Sequence, residues 1–344
     1  MAVLVALGTW RLVGPLPAAH VARRAGSLGG LGFTRVWPIF YVAHDGRRRS
    51  AYVLLPSWYR PNRNPSLPLV ISPHGRGVSA LANTRLWGNL PAIGRFAVVS
   101  PNGEGRRLPG YSWGDPGQIN DLARMPLLVE QALPWVRIRA RRVYAFGGSM
   151  GGQETLLLVA RHPKLLAGAA AFDSVANLAL QYRHFPELPC NLVCRKRWSR
   201  PLGLGLQALA RQEVGGSPIQ DPAAYAARSP LHYARAIARS GVPLQLWWSS
   251  RDLIVPDQTA QSALLFRTIK RINQRAPITE NVGTWRHTRE MRSTTRLPAA
   301  LAHFDLLPER FDRRPLKPLG SPANPGSLET GVGDVSPPRV APSQ

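Results

Sequence analysis

The sequence predicts an α/β fold, a mostly parallel central sheet with helices on both faces and a helical cap inserted over one end. Three observations lead there. Short apolar, β-rich runs recur between turn residues, the look of strands buried on both faces. Segments with helical spacing lie between those runs, and strands alternating with helices build parallel sheets. Hydrophobic residues make up 44% of the 344 positions, enough to bury a sizeable core in one large domain.

In chain order the expected strands are 50–56, 67–72 (LPLVIS), 96–100 and 142–146, then 167–172 (AGAAAF) and 243–248. A helix is expected over 121–133, ahead of the fourth strand, and another over 153–161 (QETLLLVAR), directly behind it. About 176–240 the alternation stops. Strand signals give way there to Pro, Trp and the cluster Arg195-Lys196-Arg197, so the segment reads as a helical insertion. Residues 1–38 read as an apolar, Gly-rich leader or extension, whose apolar run begins at once instead of following the charges of a secretory signal. The folded domain is expected over 39–315. Residues 316–344 are rich in Pro, Gly and Ser and are expected to be disordered.

The charge is extreme. There are 44 basic and 19 acidic residues, a formal net charge of +25, and Lys164, Lys196, Lys270 and Lys317 are the only lysines. The arginines are scattered instead of gathered in one arm, so the charge speaks for solubility and non-specific attraction of polyanions more than for a dedicated binding patch. A wholly disordered chain is excluded by the apolar content. No run approaches the roughly 20 apolar residues of a membrane helix, so no integral membrane association is expected, and no specific nucleic-acid partner. Two cysteines cannot staple a disulfide scaffold. Cys190 and Cys194, four apart, lack the His or Cys partners of a zinc site and read as free thiols or one local bridge.

The sharpest signal is Gly147-Gly148-Ser149-Met150-Gly151-Gly152. It fits G-x-S-x-G directly after an expected strand and before an expected helix, the context that motif requires. A strand reversing into a helix around one exposed serine forces that serine into a strained backbone, and small neighbours let strand and helix approach. A phosphate loop would want Gly-Lys-Ser/Thr, which is missing. Ser149 is therefore the candidate nucleophile, with Gly147, Gly148 and Gly151 forming its elbow. Upstream, His74-Gly75-Arg76-Gly77 closes the strand at 67–72. Its backbone amides, at Gly75 and Arg76, are candidates to join the Met150 amide as an oxyanion hole. The His74 side chain reads as structural.

A nucleophilic serine needs a base, and the base needs an acid to hold its tautomer. Asp252 lies just past the strand at 243–248, where side chains reach the open end of a parallel sheet. Asp257 follows Pro256 and reads as a helix start, so Asp252 is the candidate acid. For the base, His287 sits in a strand-like run ending in a loop, whereas His303 lies in a stretch with helical spacing. His287 is chosen because a loop can swing its ring between acid and nucleophile. Arg106, Arg107 and Arg251 are candidate clamps for an acidic substrate group. Trp87, Tyr111, Trp113, Trp247, Trp248 and Trp285 are candidates for an aromatic rim.

Taken together these residues resemble the α/β-hydrolase superfamily. Within it the layout is similar to prolyl-oligopeptidase-like esterases and peptidases, and to the polyester-depolymerase and feruloyl-esterase type. The YAARS run at 225–229 with Pro230, and Val242-Pro243 leading to the Asp252 turn, add to that likeness. It covers about residues 48–312. The resemblance implies a Ser149–His287–Asp252 triad, no cofactor or metal, and an ester, thioester or amide substrate, either small or polymeric. An ester is favoured, since nothing resembles an extended-peptide groove or an amine-anchoring acidic pair. The alternative is an arginine-rich protein that binds a polyanion on the same scaffold without significant catalysis. The compartment stays open between cytoplasm and secretion.

Overall fold

The computed structural model describes residues 28–31, 33–188 and 202–308. The first part of the expected leader, both cysteines, the cluster at 195–197 and the expected disordered tail lie outside these residues.

Nine strands form one sheet: β1 (Leu28–Leu31), β2 (Thr34–Val42), β3 (Arg48–Pro56), β4 (Leu67–Ile71), β5 (Ala97–Pro101), β6 (Ile138–Gly148), β7 (Gly168–Phe172), β8 (Leu244–Ser249) and β9 (Ile278–Gly283). Their spatial order is β1-β2-β3-β5-β4-β6-β7-β8-β9. The pairs from β5 through β9 are parallel, and β1, β2 and β3 add an antiparallel flank. The expected strands from 50 to 248 are all present. β2 was hidden because it crosses the expected boundary at 38 and carries Pro38. Among the described residues β1 pairs only with Thr34–Val36, so Pro38 lies beyond that pairing on β2, the kind of position at which a sheet tolerates a proline.

Period-two alternation decides which residues fill which side of the sheet. On β6, Val143 and Ala145 face one cluster while Tyr144 and Phe146 face the other; on β7, Ala169 and Ala171 oppose Ala170 and Phe172. Two short helices, α1 (Ala80–Thr84) and α2 (Leu90–Gly94), lie between β4 and β5. The first side is covered by α3 (Pro116–Ala132) through Ile119, Leu122 and Met125, and by α4 (Met150–Arg161) through Leu156–Val159. Trp87, Leu90, Phe96, Leu297 and Leu301 cover the second. This explains why the parallel strands read as continuous apolar runs.

The insertion is helical, with segments Leu178–His184, Leu202–Val214, Pro222–Ala227 and Ala234–Arg239. It has a cluster of its own in which Leu178, Tyr182, Phe185, Leu206 and Tyr225 pack with Trp113 and Met150. Because Met150 directly follows Ser149, the insertion closes over the end of the sheet from which the serine emerges. Among the described residues no helix is long and apolar enough to cross a membrane.

Candidate active site

Ser149 stands between β6 and α4 with φ 58° and ψ −124°. A non-glycine residue with positive φ in this region is strained and persists only where its surroundings hold it. Here the Ser149 amide donates to the Phe172 carbonyl at 2.8 Å, and its carbonyl accepts from Gln153 at 3.0 Å. The close approach of strand and helix requires the flanking glycines. A Cβ on Gly147 would stand 2.3 Å from the Gly151 carbonyl oxygen, and one on Gly151 would stand 2.3 Å from that of Pro73. A Cβ on Gly148 would meet Met291 Sδ at 2.6 Å and Thr288 Cγ2 at 3.0 Å. That contact brings the residue after His287 against the elbow.

The loop after β4 lies beside the serine, since a Cβ on Gly75 would be 3.9 Å from Ser149 Cβ. His74 holds this loop. Its Nδ1 donates to the Gly75 carbonyl at 2.8 Å, and its Nε2 accepts from the Gly103 amide at 2.7 Å. Burial holds its pKa below the ordinary histidine value, so the ring is a neutral brace. The amides of Gly75, Arg76 and Met150 have no acceptor among the described residues. Met150 is the first residue of α4, where unsatisfied donors and the helix dipole favour negative charge.

Asp252 and His287 meet directly, Asp252 Oδ2 lying 2.7 Å from His287 Nδ1. The other carboxylate oxygen accepts from the amides of Ile254 at 2.8 Å and Val255 at 3.0 Å. Burial alone would raise the Asp252 pKa; the nearby imidazole and these amides outweigh it and hold the carboxyl below the ordinary range. Asp257 starts a turn and accepts from the Ala260 amide. His303 is exposed and caps the helix Arg296–Ala302.

Two acids at this site were missed. Asp173 follows β7 as Asp252 follows β8, and its two oxygens accept from the amides of Ser249 at 2.8 Å and Thr288 at 2.7 Å. One ligand-type atom from each of Asp173, Asp252 and His287 lies within 4.8 Å of the others. Each carboxylate is engaged by protein donors, so the group is an imidazole braced by acids instead of an open set of metal ligands. Glu290 is wholly buried facing Asp173. Burial first, and the Asp173 charge second, push its pKa up to about 10. The only signals for either in the sequence were a strand-end position for Asp173 and proximity to His287 for Glu290.

Glu290 makes stability depend on pH in a stated direction. Between the ordinary glutamate value and about 10, the native state keeps a proton that the unfolded chain releases. Stability therefore falls as pH rises through that window, by at most about 1.4 kcal/mol per pH unit for one proton. Glu290→Gln mimics the protonated side chain and is expected to flatten that fall. Urea unfolding at pH 6 and pH 9 measures it, and parallel losses in both proteins would refute the assignment.

The remaining candidates separate cleanly. Arg106, Arg107 and Arg251 are exposed, and the first two serve the fold through amides that donate to Glu213 at 2.6 and 2.8 Å. Trp87 is buried in the core with Nε1 donating to Ser72 Oγ, and Trp113 and Trp248 are buried too. Tyr111, Trp247 and Trp285 keep partial exposure. A cavity of about 290 Å³ is lined by Asn177, Pro222, Tyr225 and His232 and by none of the site residues.

A mostly parallel sheet with a strained serine elbow at β6, an acid after β8 and a histidine after β9 has the architecture of the α/β-hydrolase fold. The chain has that fold. It is similar to the S-formylglutathione hydrolase of Agrobacterium tumefaciens, with a TM-score of 0.58 and 13% identity over 83% of this chain and 100% of that one. It is also similar to the dipeptidyl peptidase 4 of Porphyromonas gingivalis, with a TM-score of 0.53 and 17% identity over 74% of this chain and 33% of that one. In sequence, 136 residues are 31% identical to the acylamino-acid-releasing enzyme of Rattus norvegicus, covering 38% of this chain. The chain thus spans 18% of that relative's length. No family model matches the sequence.

Proposed function

We propose that the protein is a serine hydrolase that cleaves a carboxylic ester through an acyl-enzyme intermediate. The observation that carries this reading is the Asp252–His287 pair at 2.7 Å, on a loop packed against the elbow of Ser149. In this reading His287 Nε2 takes the proton from Ser149 Oγ as Oγ bonds to the acyl carbon. The Met150 amide and an amide of the Gly75–Arg76 loop receive the charge that develops on the carbonyl oxygen. The C–O bond then breaks, the alcohol leaves with the proton from His287, and water attacks the acyl carbon by the same route in reverse roles. Asp252 stays ionised throughout, holding the imidazole and its transient charge.

An ester is favoured over a peptide because the carboxyl groups described around the imidazole, those of Asp173, Asp252 and Glu290, are all buried, leaving no exposed carboxylate there to anchor an amine. Fluorophosphonate labelling tests the reading, since such probes react with activated serines. Wild type is expected to label and Ser149→Ala to remain unlabelled. A folded wild type that fails to label overturns the proposal. An aryl acetate should be turned over faster than the matching anilide; the reverse order would make the protein a peptidase.

A further inference from the structure

One cation beside Ser149 has no partner among the described residues. Arg76 follows Gly75, whose Cβ position is 3.9 Å from Ser149 Cβ. The side chain of Arg76 is partly buried, yet among the described residues it makes no hydrogen bond and no ion pair. The groups whose charge acts on it are the Tyr111 hydroxyl and the Asp252 carboxylate, and burial still pulls its pKa below the usual arginine value. Asp252 is committed to His287, two amides and Gln258, so it is no counter-ion for Arg76.

Arg49 and Arg228, which are more deeply buried than Arg76, are treated differently. Arg49 reaches Asp45 at 2.7 Å, Glu104 at 3.4 Å and Asp121 at 3.5 Å. Arg228 reaches Asp115 at 2.9 Å and Glu213 at 3.5 Å. Withdrawing a guanidinium from water without a carboxylate is unfavourable, and at those positions the fold supplies the carboxylates. At Arg76 the described residues supply none. The loop is nevertheless pinned, with the Gly77 amide donating to the Gly110 carbonyl at 2.8 Å and the Val78 amide to that of Gly75 at 3.2 Å. The first bond ties Arg76 to the segment bearing Tyr111, whose ring lies 5.4 Å from that of Trp113.

We infer that Arg76 binds a carboxylate carried by the substrate, so that the ester cleaved at Ser149 belongs to an anionic molecule. This rests on the serine-hydrolase reading and adds the substrate class to it. The planar fork of a guanidinium matches a carboxylate with two parallel hydrogen bonds. A surface of net charge +25 would also draw such a substrate toward the cleft.

The test compares matched esters that differ in one charge. On the acyl side these are 4-nitrophenyl hydrogen adipate and its methyl ester; on the alcohol side, 4-acetoxybenzoate and its methyl ester. Wild type is expected to favour the anionic member of one pair by about tenfold or more in kcat/KM, and the pair that shows it tells which side of the ester faces Arg76. Raised salt should shrink the preference by screening. Arg76→Gln is expected to abolish the ratio, and Arg76→Lys, which keeps the charge without the fork, to retain part of it. Labelling of each variant by the uncharged fluorophosphonate shows that its site is assembled. If wild type labels but favours neither anionic ester, the inference fails while the serine-hydrolase reading stands; a preference that survives in labelled Arg76→Gln also overturns it. Absence of wild-type labelling removes the reading beneath, and the inference with it.

Discussion

His287→Ala is expected to slow both the labelling of Ser149 and ester turnover by on the order of 10⁴-fold. A serine hydroxyl is a weak nucleophile at neutral pH, and the proton it loses needs an acceptor within reach. In the proposed mechanism His287 is that acceptor, and three separate contacts hold it and its neighbour. Asp252 holds Nδ1 at 2.7 Å, which leaves Nε2 as the free ring nitrogen. Asp173 holds the next amide, that of Thr288, at 2.7 Å. Thr288 itself rests against Gly148, one residue before the nucleophile. His303→Ala is the control. That histidine is exposed, its ring centroid 4.9 Å from that of Phe304, and its loss should change the labelling rate by less than about twofold, since exposed substitutions away from special features are nearly silent. Labelling rates measured for both variants decide the matter. A wild-type rate in His287→Ala would dismiss this histidine as the base.

Arg228→Met is expected to destabilise the fold by about 3–5 kcal/mol, the cost of breaking a buried ion network from one side. Arg228 joins four parts of the chain. Its Nη1 donates to the Ser112 carbonyl at 2.6 Å, and its Nη2 donates to Asp115 at 2.9 Å and reaches Glu213 at 3.5 Å. Asp115 caps α3 through the Gly117 and Gln118 amides. Glu213, on the insertion helix Leu202–Val214, accepts the amides of Arg106, Arg107 and Leu108 and so shapes the loop after β5. The Arg228 carbonyl accepts from Gln153 of α4 at 2.6 Å. Methionine keeps the bulk and removes the charge, leaving two buried carboxylates without their counter-ion. Burial already raises the Glu213 pKa, against the pull of the amides and of Arg228. Without Arg228 it should rise further, and the loss should then deepen as pH increases, because a raised carboxylate pKa costs stability above the unfolded value. Urea unfolding should show a lower midpoint with an unchanged slope. A Glu213→Gln second substitution should recover part of the loss, and a single variant within 1 kcal/mol of wild type would refute this account.

Much of the scaffold could be read in advance because it is written locally. LPLVIS, AGAAAF and the run into Ser249 announce strands buried on both faces, since none of them carries a charged residue. The GGSMGG run announces its own geometry, because a strand-to-helix reversal around one serine leaves no room for a Cβ at Gly147 or Gly151. β1 and β2 were not legible: β1 is a four-residue, glycine-containing run (LGGL) inside the expected leader, and β2 has mixed polarity and carries a proline. The acid of the candidate site shows the limit more sharply. Asp173 and Asp252 both follow parallel strands, and by position alone they are equivalent.

The sequence by itself determined the layer architecture, the elbow at Ser149, and a short set of acids and histidines placed where strands end. Those properties follow from alternation, glycine sterics and strand direction, all of which act over a few residues. Only the tertiary structure brought Asp252 and His287 together and set Asp173, which the sequence had not offered as a candidate, beside them. Both oxygens of Asp173 are held by the Ser249 and Thr288 amides, while Asp252 keeps one oxygen for His287. It also decided which arginines matter, because a guanidinium's partners come from residues far away in the chain. Arg49 and Arg228 found theirs, and Arg76, beside the serine, has none among the described residues.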